Sequence, residues 1–110
     1  MEMEILYRKE YSARPRVQAA HSAQYILLRG VVRGDIAYGV RVSEFGGGWM
    51  EHGDCFPLTV CREEAEHVAA YLFENAVPAA HAQAVALDLA PGLDGSELYG
   101  ERAHPALDCG

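Results

Sequence analysis

Residues 36–42 lie between two turn signals, Arg33-Gly34-Asp35 on one side and Gly46-Gly47-Gly48 on the other. Ile36, Tyr38, Val40 and Val42 alternate with Ala37, Gly39, Arg41 and Ser43. That period of two puts one apolar face of a strand on a core. Three glycines in a row have too much conformational freedom to continue a strand, so Gly46-Gly47-Gly48 reads as a hairpin loop. Arg33-Gly34-Asp35 reads as a tight turn in which glycine supplies a positive φ, rather than as an adhesive tripeptide.

The flanking segments supply partners for this strand. Tyr25-Ile-Leu-Leu-Arg-Gly-Val-Val32 is rich in aliphatic and β-branched residues and fits a central strand, hairpin-paired with the segment just described. Further upstream, Ile5, Tyr7, Lys9 and Tyr11 alternate with Leu6, Arg8 and Glu10, which suits an edge strand with one semi-polar face. The stretch from Ser12 to Ser22, with Pro15 and two arginines, reads as a connecting loop. A fourth strand is expected between Trp49 and Val60, bent near Gly53-Asp54 and carrying Pro57 where an edge tolerates it.

After the strands the period changes. Ala65, Val68, Ala69, Leu72, Phe73 and Ala76 form an apolar stripe at helical spacing. Glu63, Glu64 and Glu66 lie near the positive end of the helix dipole, and Thr59 is the expected capping oxygen. Pro78 ends this helix or opens the next. Ala80, Ala84 and Leu87, flanked by Val85 and Leu89, predict a second, shorter helix over 79–89 whose small residues permit close packing. The expected fold is α+β, a four-stranded antiparallel meander followed by a helical pair packed on one sheet face. Residues 1–90 form the single domain in this reading, and residues 91–110 form a Gly/Pro-rich C-terminal tail.

Length and charge narrow the function classes. A chain of 110 residues with half its residues apolar supports one core and falls on the folded side of the disorder boundary. Its longest apolar run is far short of the roughly 18 residues that cross a bilayer. Met1-Glu2-Met3-Glu4 is acidic where a secretory signal is basic, so a cytoplasmic protein without membrane contact is expected. The net charge is −7, divided unevenly. Seven basic residues stand against five acidic ones through Phe45, and two against eleven from Gly46 onward. Direct nucleic-acid binding is not expected of such a chain. Three cysteines, Cys55, Cys61 and Cys109, are too few for a disulfide scaffold, and reduced thiols are the default expectation.

Several residues also carry a family resemblance. Tyr38-Gly39-Val40-Arg41-Val42, the helix from Arg62 to Asn75, and Val77-Pro78-Ala79-Ala80-His81 leading into Val85 and Asp88 together span about the middle half of the chain. In these segments the chain resembles a family of short, mainly clostridial proteins catalogued as a domain of unknown function. The resemblance implies this fold and a cellular setting. It implies no catalytic residue, since Ala84 stands where the family places an acidic residue after the histidine.

Two chemistries can be tested against the spacing. His52, Cys55, Cys61 and His67 are residue types that zinc prefers, but His52 and Cys55 have opposite parity on a strand, so no metal or other cofactor is expected. Cys61 near a helix N-terminus, with His52, His67 or His81 as base, is the enzymatic alternative; Glu63, Glu64 and Glu66 oppose it by raising the thiol pKa. The expected function is a small non-enzymatic protein-binding module acting on an unidentified protein partner. Its contact residues are expected on the uncovered sheet face and the glycine loop: Tyr7, Tyr25, Arg29, Arg41, Phe45 and Trp49. Alternatives are an acidic inhibitor that occupies a basic nucleic-acid-binding channel of its partner, and the thiol or zinc enzyme centred on Cys61. A homodimer through the open face or an edge strand is compatible with each.

Overall fold

Six elements follow one another in the computed structural model, which describes residues 1–16 and 19–89. They are β1 (Glu2–Tyr11), β2 (His21–Val32), β3 (Asp35–Gly46), β4 (Trp49–Thr59), α1 (Arg62–Glu74) and α2 (Ala79–Leu89). The strands lie in the order β1-β2-β3-β4, each pair antiparallel, and both helices pack on one face. This is the expected α+β meander with its helical pair. The tail expected over 91–110 lies outside the described residues.

The turns follow from backbone chemistry. Val32 and Asp35 pair across a two-residue turn in which Arg33 has φ 52 and Gly34 φ 85. Positive φ at both central positions matches the right-handed twist of the strands it joins. At the next turn Gly46 pairs with Trp49, and Gly48 takes φ 82.

Two irregularities decide which side chains share a face. In β1 the register shifts between Ile5 and Tyr7, leaving Leu6 as the extra residue. The alternation expected across Ile5, Tyr7, Lys9 and Tyr11 therefore breaks: Ile5 pairs with Ile26 and Tyr7 with Tyr25, adjacent residues of β2 that point to opposite sides. In β4 the expected bend at Gly53-Asp54 is absent, since those residues pair regularly with Val42 and Arg41. The irregularity falls three residues later, between the Val40–Cys55 and Tyr38–Thr59 pairs, where Phe56, Pro57 and Leu58 stand against Gly39 alone.

Gly53 serves another purpose. A Cβ there would sit 1.9 Å from the carbonyl oxygen of Ala79, so glycine is what lets the start of α2 lie directly on β4.

The main core lies between sheet and helices. Ala23, Tyr25, Val40, Val42, Cys55 and Leu58 meet Val68, Ala69 and Leu72 of α1 and Ala79, Ala82 and Ala86 of α2. The expected α1 stripe is the buried one through Leu72, while Ala76 lies beyond the helix, exposed and at φ 50. In α2 the expected stripe is wrong by one step: Ala80, Ala84 and Leu87 face solvent, and Ala79, Ala82 and Ala86 face the sheet. Alanine at nearly every position leaves the helix without a strong periodic signal, and contact with Gly53 decides its rotation. Thr59 also departs from its expected role. Its Oγ1 accepts the backbone N–H of Cys61, the N-cap residue, and no side chain caps α1.

Candidate protein-binding face

The helices leave the other side of the sheet bare. Register places Met3 and Ile5 of β1, Ile26 and Leu28 of β2, Arg41, Ser43 and Phe45 of β3, and Met50, His52 and Asp54 of β4 on that side. Ile26 and Leu28, at the centre, are buried although they are absent from the main core. Around them the face keeps large apolar groups in solvent: Met3 is 59% exposed, Ile5 51% and Met50 65%.

A fixed polar system crosses the same face. The Arg41 guanidinium donates from Nε and Nη2 to the two carboxylate oxygens of Asp54 at 2.7 and 2.8 Å, the forked geometry that suits arginine and carboxylate. Its remaining Nη1 lies 3.2 Å from the Met3 sulfur, so strands β1, β3 and β4 are tied together over β2. These hydrogen bonds hold the Asp54 carboxyl below its ordinary pKa, against the opposing effect of partial burial. One row away, Ser43 Oγ and His52 Nδ1 are 2.8 Å apart. Ser43 is buried and Asp54 is committed to Arg41, so this pair holds adjacent strands and is not arranged as a nucleophile with its base.

Of the expected contact residues, Arg41 and Phe45 lie on the bare face, and Tyr7, Tyr25, Arg29 and Trp49 lie on the helix side. Tyr7 stacks on Phe73 of α1 with ring centroids 4.7 Å apart. Tyr25 is in the core, where burial pushes its hydroxyl pKa upward and Tyr11 and Glu44 add to the effect. Arg29 pairs with Glu2. Trp49 folds back over Gly46 and tilts against the His21 ring at 5.9 Å. Phe45 and Trp49 thus point to opposite sides and do not form one anchor. Met3, Ile5 and Met50 take their place on the bare face. Their signal in the sequence is apolar residues on a side no helix remains to cover, readable only with the Leu6 bulge included.

The helix side also holds a polar cluster at one end of the sheet. Glu44 accepts the backbone N–H of Ala79 at 2.7 Å, placing a carboxylate at the positive end of α2. His21 Nε2 lies 3.7 Å from the other Glu44 oxygen, and its ring stacks on Tyr11. A cavity of about 330 Å³ is lined by Glu2, Met3, Glu4, Leu27, Arg29 and Arg62, but its arginines are already paired with Glu2 and Glu4.

The thiols and histidines do not gather. His52 and Cys55 face opposite sides of β4, and among the described residues no three His, Cys, Asp or Glu side chains come together as a metal would require. Cys55 is a free, buried thiol, whereas Cys61 is disulfide-bonded, against the expected reduced state. An odd count is equally what one bridge and one buried thiol give. A bridged sulfur is no nucleophile, so Cys61 in this state does not serve the enzymatic alternative. No helix among the described residues is long and apolar enough to cross a membrane. No family model, curated protein or solved structure matches the chain.

Proposed function

We propose that the protein is a non-enzymatic binding module whose contact surface for a protein partner is the bare face of the sheet. The observation that carries the reading is the combination of solvent-exposed Met3, Ile5 and Met50 with a charged pair, Arg41 and Asp54, already fixed in position. Exposed apolar groups supply burial on contact, and a preset ion pair supplies orientation without a further ordering cost. Four strands about 4.8 Å apart and about 30 Å long offer on the order of 600 Å² before side-chain relief, near what one partner contributes to a specific interface. Disulfides belong with oxidising compartments, so the reading does not depend on the cytoplasmic setting expected from the N-terminus.

The test separates contact from folding. Met3→Asp and Met50→Asp change exposed side chains, so the thermal transition stays in place while capture of the partner is lost. Tyr71→Asp, on the exposed side of α1, leaves capture unchanged. Equal capture by all three variants would sink the proposal.

A further inference from the structure

The two edges of the sheet differ. On β4 the ladder to β3 is broken at Phe56, Pro57 and Leu58, and Pro57 has no N–H to offer a new neighbour. On β1 ten residues run from Glu2 to Tyr11 without proline, and among the described residues no strand pairs with its outer side. Exposed edges are commonly guarded by lysine. The lysine here is turned away, with Lys9 Nζ donating to the Phe73 carbonyl of α1. The Leu6 bulge is the one guard left.

Charge along β1 is arranged end to end. Glu2 and Glu4 lie before Leu6, and Arg8 and Lys9 after it, with Glu10 following. A parallel copy would set like charges side by side. An antiparallel copy sets the acidic half of each strand against the basic half of the other, twice by symmetry. We propose that β1 pairs antiparallel with β1 of a second copy of this chain about a two-fold axis near Leu6, joining two four-stranded sheets into one of eight strands. The two bare faces then become continuous, with Met3 and Ile5 of both copies at the middle. Pairing uses the backbone edge and is independent of whether the bare face binds a partner.

In an antiparallel ladder successive residues of an edge strand turn their amides alternately toward the neighbour and toward solvent. Light scattering of the full chain over a concentration series, with residue-resolved amide exchange at each end of it, therefore reads the pairing directly. The expected result is a mass that doubles with concentration while protection along β1 changes from alternate to consecutive residues. Added salt weakens the association. Arg8→Glu weakens it about tenfold, through two symmetry-related like-charge contacts, and leaves the dilute monomer folded. A single-chain mass at every concentration overturns the proposal. So does a dimer in which β1 keeps alternate exchange, because its faces rather than its edges then meet.

Discussion

Lys9 Nζ donates to the carbonyl oxygen of Phe73 at 2.6 Å while lying 4.9 Å from the centroid of the same residue's ring. Helix α1 has no basic residue in its last turn, so a lysine from the edge strand supplies the cation that its carbonyl end favours. Tyr7, two residues earlier, stacks on the same ring, and β1 is thereby fastened to α1 through Phe73.

Replacing Lys9 with methionine keeps the aliphatic stem and removes the donor and the charge. Lys9→Met is expected to lower stability by about 1–2 kcal/mol, the sum of a lost charged hydrogen bond and a weakened dipole contact. A urea midpoint unchanged from the parent would show that the contact is not maintained in solution.

Gly53 is the position least able to accept a side chain. With the Ala79 carbonyl carbon also 2.8 Å from the would-be Cβ, Gly53→Ala must push α2 off β4 or distort its first turn. A loss of at least about 3 kcal/mol is expected, in the range of severe core disruption. Gly47→Ala, with nothing within 4 Å of its would-be Cβ, should stay within about 0.5 kcal/mol. Comparable denaturation midpoints for the two variants would contradict the close approach.

The Arg41–Asp54 pair gives the folded state a pH dependence of known sign. Arg41 lowers the Asp54 pKa from its ordinary 3.8, so the folded protein releases this proton more readily than the unfolded chain. The resulting stabilisation is present above about pH 4 and is lost as the pH falls through the lower folded value. Asp54→Asn should therefore reduce stability by a constant amount near neutrality, with a difference from the parent that shrinks in acid. Parallel stability curves down to the acid transition would show that the pair is too solvated to matter.

How far the sequence reveals this molecule depends on where the deciding contact lies. The β2–β3 hairpin and α1 follow from local signals, a two-residue turn with glycine and an unambiguous stripe. Nonlocal contacts decide the rest. Alanines on both sides of α2 leave its rotation open until Gly53 admits one of them. Leu6 looks like any other member of an alternating run, yet as the bulged residue it sends Ile5 to the bare face and Tyr7 to Phe73. Tyr25 carries the same composition cue as a surface tyrosine and is buried because the helices cover its side of β2. Arg41 was legible as a surface arginine; its bidentate partner Asp54, thirteen residues on, emerges only from strand register.

Cys55 offers a probe of that covered side. It pairs with Val40 on β4, is 4% exposed, and its thiol pKa is pushed above its ordinary 9.0 by burial. Low thiolate content and a shielded sulfur act in the same direction. A thiol reagent at neutral pH is expected to label Cys55 only as fast as the sheet and helices separate, with the rate rising in denaturant along the unfolding curve. The raised pKa also fixes the alkaline behaviour. The folded state retains this proton where the unfolded chain loses it, so the contribution is present below about pH 9 and declines as the pH rises toward the folded value. Cys55→Ala should remove that part of the alkaline decline. Rapid labelling of Cys55 in the native protein would place α2 away from β4, and with it would fall the division of the sheet into a covered and a bare side.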